Sequence, residues 1–264
     1  MKPFLKWPGG KRWLTNKYAH LFPRKFNTYI EPFLGSGSVF FHLAPNKALL
    51  GDTNQELIAT YSGLRHDPMV VEDALLMHEL NHCEAYYYSV RDSRPRASHM
   101  KAARFIYLNR TCFNGIYRVN LNGGFNVPKG SKTEVIFEDD DFEKASRALR
   151  RARICISDFE SLVDTGGPND FIFADPPYTV RHNSNAFIKY NERLFSWNDQ
   201  VRLADALARA RDRGSQVLAT NANHDAVRSL YKKRSFSLSS ISRFSSISAD
   251  SLRRDQFEEL IVLS

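Results

Sequence analysis

The chain has 264 residues, 42% of them apolar, and carries a net charge of +8. That size supports one substantial core, or a core with an inserted subdomain, and no apolar run approaches the roughly 18 residues of a membrane-spanning helix. Cys83, Cys112 and Cys155 are odd in number and widely spaced, and Met1–Trp13 has no signal-peptide core, so a disulfide framework is disfavoured and a reducing cytoplasm is expected.

The chain opens on Phe4-Leu5-Lys6-Trp7-Pro8-Gly9-Gly10-Lys11, before an amphipathic helical pattern over Lys11–Leu21. Two glycines between a Trp and a Lys make a tight turn bearing a cation. It reads as a plain helix entry anchored by Trp7 or, beside the motifs that follow, as a site for a ligand carboxylate. Thr28–Ile30 predicts a strand. From it, Glu31-Pro32-Phe33-Leu34-Gly35-Ser36-Gly37-Ser38-Val39 turns through small residues into an apolar helix, a turn that lets backbone approach a nucleotide-like ligand. The next strand, Ala48–Leu50, runs into Gly51-Asp52. In doubly wound folds a carboxylate about twenty residues past such a loop accepts hydrogen bonds from ribose hydroxyls; the alternative is a surface turn with a capping Asp. No Lys-Ser/Thr follows the glycines, which disfavours a phosphate-cradling loop. Glu31 suits a ligand carrying positive charge. S-adenosylmethionine, with a sulfonium and an α-ammonium, fits.

Asn54–Arg65 predicts a helix, and between about Leu57 and Asp141 the strand–helix alternation breaks, as an insertion would break it. Tyr86–Val135 holds nine Lys/Arg against two Asp/Glu, mixed with aromatic, Asn and Gly residues, which points to a nucleic acid rather than to an ordinary solvated face. His78-Glu79-Leu80-Asn81-His82 satisfies a metallopeptidase pattern, with His99 as the nearest downstream third ligand; a solvated helix explains it better. Asn109-Arg110-Thr111-Cys112-Phe113-Asn114-Gly115-Ile116-Tyr117-Arg118 is turn-rich, basic and aromatic, and Gly123-Gly124-Phe125-Asn126-Val127-Pro128 returns the chain as a hairpin. Arg118 is of a type that reads a guanine edge bidentately, and Phe113 of a type that wedges into a base stack. Arg110 suits support of the fold or of a phosphate.

Phe142–Arg151 reads as a helix and Ile154–Ile156 as a strand. Asp170-Phe171-Ile172-Phe173-Ala174-Asp175-Pro176-Pro177-Tyr178 is the most specific feature: an apolar strand, Phe171–Ala174, feeds directly into Asp-Pro-Pro-Tyr. The lone pair of an aromatic amino group is delocalised into its ring, so the group is a poor nucleophile. The Asp175 carboxylate and the Pro176 carbonyl can accept its two N–H bonds and draw the nitrogen toward tetrahedral geometry. Consecutive prolines fix that carbonyl and remove competing donors, and Tyr178 can stack on a base taken out of its duplex. Trp197–Arg213 then predicts a helix capped by Ser196 and stopped at Gly214, before strands at Val217–Ala219 and Leu260–Leu263. The alternation implies an α/β fold with a largely parallel sheet covered on both faces.

Phe4–Lys11, Tyr29–Phe41, Asp52-Thr53-Asn54, Asn109–Asn120, Phe125–Gly130 and Asp175–Tyr178 together resemble the Dam-type family of adenine-specific DNA methyltransferases, in the cofactor, recognition, catalytic order of its alpha group. The resemblance implies a Rossmann-like S-adenosylmethionine-dependent methyltransferase sheet of seven strands with an inserted, mainly helical target-recognition subdomain. The catalytic domain would span 1–56 and 142–264, and the insertion 57–141. Cofactor contacts would come from Trp7, Lys11, Asp52 and Asp175, joined by Glu31, Phe33, Gly35 and Asp158, with no metal. Asp175, Pro176, Pro177 and Tyr178 would form the catalytic motif. Lys6, Phe113, Asn114, Ile116, Arg118 and Pro128 would contact double-stranded DNA, and the matches suggest GATC. The family wedge is more often Tyr than Phe. The stretch with Phe187, Tyr190 and Phe195 is similar to the family's mobile loop. A cytosine amino methyltransferase, an RNA methyltransferase and a silent DNA-binding relative are the competing readings; Asp at the first motif position favours adenine, and an intact Asp-Pro-Pro-Tyr argues against silence.

Overall fold

The computed structural model describes residues 1–119, 124–178, 195–244 and 256–264. Among them the strands are β1 (Tyr29–Glu31), β2 (Ala48–Asp52), β3 (Ala152–Ile156), β4 (Phe171–Ala174), β5 (Gln216–Ala222), β6 (Ser237–Phe244) and β7 (Gln256–Leu263). They form a seven-stranded sheet in the order β3-β2-β1-β4-β5-β7-β6. β1 pairs with β4, β2 with β3 and β4 with β5 in parallel, whereas β7 runs antiparallel to β5 and β6. β4, Phe-Ile-Phe-Ala, is buried at every position, as expected of a parallel strand with both faces covered. The α/β expectation therefore holds, with an antiparallel edge. β6 has no counterpart in the sequence reading: serines at 237, 239, 240 and 242 leave Leu238 and Ile241 without an apolar run.

By internal contacts the chain falls into two compact units, 1–19 with 34–156, and 20–33 with 157–264. The first holds β2, β3 and the helices α1 (Arg12–Lys17), α2 (Ser38–Leu43), α3 (Gln55–His66), α4 (Pro68–Leu80), α5 (Glu84–Asp92), α6 (Ser98–Thr111) and α7 (Phe142–Leu149). Asn54 caps α3 by accepting from the Leu57 N–H at 3.0 Å, and Asp141 caps α7 from Lys144 at 2.8 Å. At Gly63 a Cβ would meet the Ser98 carbonyl oxygen at 2.5 Å, so this glycine lets α3 and α6 lie nearly backbone to backbone.

α6 is buried at every residue from Ala102 to Thr111. Two of the nine basic residues that charged this stretch are therefore interior. Arg104 donates to the carbonyls of Val90 and Arg91. Arg110, 0% exposed, donates to the carbonyls of Phe4 at 2.8 Å and Val135 at 2.7 Å, forks onto the Asp140 carboxylate, and lies 4.3 Å over the Phe137 ring. Its guanidinium is thus a support of the fold.

The metallopeptidase-like pattern is also consumed by packing. The His78 ring stacks on Tyr107 with centroids 4.7 Å apart, and its Nδ1 lies 2.8 Å from the Tyr86 hydroxyl. His82 Nδ1 lies 2.8 Å from the Tyr107 hydroxyl. Glu79 accepts from the N–H groups of Val135 and Ile136 at 2.9 and 3.2 Å. The three polar side chains tie α4 and the turn after it to α5, α6 and the segment at Val135.

The second unit holds β1, β4 to β7, and the helices α8 (Phe159–Val163), α9 (Trp197–Asp212) and α10 (Asp225–Lys232). α9 starts in a capping box, Ser196 with Asp199, and ends before Gly214. Arg202 and Arg209 on α9 pair with Asp158, Glu160 and Asp164 beside and along α8.

Two stability predictions follow from the first unit. Arg110→Met strands the Asp140 carboxylate, whose side chain is 8% exposed, and should cost about 3–5 kcal/mol in urea unfolding, the usual penalty for breaking a buried pair; an unchanged midpoint would deny Arg110 its role. Burial holds the His78 imidazole down at about 4, below the usual 6.5. The unfolded chain takes up this proton first, so stability should be lost as pH falls from about 6.5 to about 4, by up to roughly 3 kcal/mol. His78→Phe keeps a ring against Tyr107 and cannot titrate. Unfolding midpoints across that window should fall less steeply in the variant; parallel slopes would reject the assignment.

Candidate active site and nucleic-acid surface

In the first unit the N-terminal motif closes on itself. Gly10 N–H donates to the Trp7 carbonyl at 3.1 Å, and the buried Lys11 donates from Nζ to the Gly9 carbonyl at 2.9 Å. The Trp7 indole lies nearly parallel to Tyr117 and Phe105, at 5.7 and 6.4 Å between centroids. Its Cδ1 stands 2.8 Å from where a Cβ would sit on Gly35, whose φ is +46°. Gly35 is thus required by both its backbone and its neighbour. Asp52, at the end of β2, accepts from the Gly35 N–H at 3.2 Å through Oδ2 and from Asn54 at 2.9 Å through Oδ1. Burial raises its carboxyl above the usual range, against the pull of these backbone N–H groups. Trp7, Gly35 and Asp52 therefore meet around one loop. Tyr61, which the sequence reading did not single out, anchors that loop by donating to the Gly35 carbonyl at 2.9 Å.

The same unit gathers the residues expected on nucleic acid. Lys6 is clasped to the end of α6: its N–H donates to Asn109 Oδ1, and Asn109 Nδ2 donates back to the Lys6 carbonyl, both at 2.8 Å. Its side chain lies against Gly115. Phe113 N–H donates to the Pro128 carbonyl at 2.9 Å, and bridges join Cys112 to Lys129 and Val119 to Phe125, so the two strings of the expected hairpin do meet. On this frame Phe113, Asn114, Ile116, Arg118 and Pro128 are all exposed, Phe113 by 54%. Arg118 Nε donates to Asn126 Oδ1 at 3.0 Å. Asn120 and Gly123 lie outside the described residues.

In the second unit Glu31, 2% exposed, accepts from the Tyr29 hydroxyl at 2.9 Å. Phe33 stacks on Phe159 at 5.4 Å and meets the edge of Phe195 at 5.6 Å. Asp158 caps α8 by accepting from Glu160 N–H at 3.0 Å and pairs with Arg202 at 2.9 Å. The catalytic candidates leave the buried β4 directly. Thr220 Oγ1 on β5 donates to Asp175 Oδ1 at 2.7 Å. Pro176 is buried, while Pro177 and Tyr178 are half-buried. The Tyr178 hydroxyl donates to Glu259 Oε2 on β7 at 2.8 Å. Burial, then the charges of Asp175 and Glu259, push its pKa well above the usual 10, so it stays a phenol.

Thr220 and Glu259 were missed in the sequence. Each stands one residue outside an apolar run, after Val217–Ala219 and before Leu260–Leu263; a polar residue at the margin of a core strand was the available signal. Phe187 and Tyr190 lie outside the described residues.

Among the described residues no three His, Cys, Asp or Glu side chains gather as a metal site, and no helix is long and apolar enough to cross a membrane. The family model for D12 class N6 adenine-specific DNA methyltransferases matches residues 7–247. The chain is 36% identical over 271 residues to the type II methyltransferase M1.LlaDCHI of Lactococcus lactis subsp. cremoris, covering 99% of this chain and 95% of that protein. It is 31% identical to the type II methyltransferase M.MjaIII of Methanocaldococcus jannaschii, over 100% and 99% of the two chains. It is 30% identical to the DNA adenine methylase of Vibrio cholerae, over 99% and 95%. With its glycine loop, its Asp-Pro-Pro-Tyr strand end and a match along nearly its whole length, the chain belongs to the D12 class of N6 adenine-specific DNA methyltransferases.

Proposed function

We propose that this DNA adenine methyltransferase takes its methyl group from S-adenosylmethionine and delivers it to the N6 of an adenine turned out of double-stranded DNA, within GATC. The observation that carries the reading is the Asp175 carboxylate, fixed at the end of buried β4 by the Thr220 hydroxyl and followed by two prolines and Tyr178. The donor set suits the cofactor. Gly35 turns with a positive φ directly against the Trp7 indole, Asp52 hangs a carboxylate on the same loop for ribose hydroxyls, and Glu31 is a buried carboxylate suited to a cationic ligand. Trp7, Lys11, Phe33 and Asp158 complete the proposed contacts. When bound, S-adenosylmethionine supplies an electrophilic methyl group.

The protein's own residues do the rest. Asp175 and the Pro176 carbonyl accept the two N–H bonds of the target amino group, which localises the lone pair and directs it at the methyl carbon. Such fixed acceptors act where charge develops and need no reorganisation during the step. The accessible part of Tyr178 offers a stacking surface to the base. On the recognition side, Arg118 offers a guanidinium held by Asn126 for a guanine edge. The exposed apolar ring of Phe113 fits a wedge that holds the stack open once the base has left. Lys6, Asn114, Ile116 and Pro128 frame the same surface, and the one guanine on each strand of GATC is a match for one such arginine.

Two experiments test this. Single-turnover methylation of an unmethylated GATC duplex, followed by digestion to nucleosides, should yield N6-methyladenine, and chelator should not change the rate. Asp175→Asn turns part of the acceptor into a donor facing N–H groups and should slow transfer about a hundredfold or more, since one positioned polar contact is worth about 3 kcal/mol in a transition state. A near-normal rate in that variant sinks the mechanism. Arg118→Ala should lose discrimination between GATC and single-base variants by about 1–3 kcal/mol, with binding that remains strongly salt-dependent. Unchanged sequence preference would move the base reader elsewhere.

A further inference from the structure

The sheet holds two polar side chains directly behind the catalytic loop. β5 and β7 are antiparallel neighbours in which Thr220 faces Ile261 and Ala222 faces Glu259. Paired residues share a face of a sheet, so Thr220 and Glu259 lie on one face as diagonal neighbours, the spacing at which cross-strand side chains act together. From that face Thr220 donates to Asp175 Oδ1 at 2.7 Å, and Glu259 accepts from the Tyr178 hydroxyl at 2.8 Å. The first and last residues of the motif are therefore each tied to a different strand. Both ties are interior: Thr220 is 0% and Glu259 2% exposed.

We propose that Glu259 and Thr220 are positioning residues for methyl transfer, Glu259 acting through Tyr178 and Thr220 through Asp175. The two prolines set the backbone of the loop but not the side-chain torsions at its ends. A phenol ring rotates about χ1 and χ2, and a hydrogen bond at its far end to a carboxylate built into a strand fixes both. Likewise a carboxylate with one oxygen held by a hydroxyl presents its other oxygen in a defined direction. A carboxyl group at a core position of a strand is costly to bury, and here it stands where it controls the aromatic side of the proposed base site. Active-site groups must be held within a fraction of an ångström by the residues behind them.

The proposal rests on the catalytic role assigned to the loop from Asp175 to Tyr178, so Asp175→Asn is assayed in parallel. Single-turnover rates are measured at saturating cofactor and duplex, with cofactor affinity by calorimetry. Glu259→Leu should slow transfer about tenfold or more, the scale of a lost alignment, while cofactor affinity stays within about twofold. Glu259→Gln keeps an acceptor for the phenol and should recover most of the rate. Tyr178→Phe combined with Glu259→Leu should be no slower than the slower single variant, because both remove one bond. Where Glu259→Leu does not fold, Thr220→Val and Thr220→Ser give the same decision: valine slows transfer and serine restores it. A wild-type rate in folded Glu259→Leu or Thr220→Val, additive losses in the double variant, or a loss confined to cofactor affinity would overturn the proposal. If Asp175→Asn also keeps its rate, it is the role of the loop that fails.

Discussion

The guanidinium of Arg110 is the constraint on which the first unit depends. It sits at the buried end of α6 and ties together three stretches far apart in sequence: the N-terminal strand of residues at Phe4, the return segment at Val135, and Asp140 just ahead of α7. One planar group with donors in fixed directions can satisfy two carbonyls and a carboxylate at once, which no lysine could reproduce. Next to it, Asn109 clasps both backbone groups of Lys6. The N-terminal motif is therefore hung from the end of α6. Lys6, proposed to touch DNA, and Trp7, proposed to touch the cofactor, are adjacent residues on this one attachment.

In the sheet, acidic residues recur at one kind of position. β1 ends on Glu31, β2 ends on Asp52, β3 is followed at two residues by Asp158, and β4 is followed at once by Asp175. Ligands of open α/β folds bind outside the carboxyl ends of their parallel strands, and here those ends carry carboxylates. Each is treated differently by its surroundings. The partner differs in each case, Arg202 beside Asp158, backbone N–H groups on Asp52 and a hydroxyl on Asp175 and Glu31.

The legible parts of the sequence were those where local chemistry alone decides. The apolar run at β4 is bounded by Asp residues, so its limits are read to the residue. α9 carries its capping box in four residues, and the Gly35 to Asp52 spacing follows from one strand–turn–helix–strand passage. The illegible parts needed partners distant in sequence. β6 is a serine-rich edge that becomes a strand only because β7 supplies its hydrogen bonds. Glu259 looks like the polar margin of the Leu260–Leu263 run and is in fact inside β7. Arg104 and Arg110 count toward a basic surface in any tally of charge, yet burial and carbonyl partners take them out of it. His78-Glu79-Leu80-Asn81-His82 has the spacing of a metal site, and only the tyrosines at 86 and 107 reveal it as packing.

The interior arginine also shapes the surface above it. Lys6 is half-buried, its Nζ 3.4 Å from the Arg110 carbonyl and 5.3 Å from the Phe137 ring on which Arg110 lies. Burial first, then the charges of Arg110 and Lys132, push the Lys6 pKa below its usual 10.5. A lowered lysine pKa means that its positive charge is paid for by the folded protein, through desolvation and like-charge crowding. An anion beside Lys6 accepts hydrogen bonds from its ammonium group and offsets the neighbouring cations. Burial is the larger cause of the lowered pKa, since Asp140 already pairs with the guanidinium and Glu134 pulls the Lys6 pKa the other way. The proposed docking face and the N-terminal motif thus rest on the same end of α6.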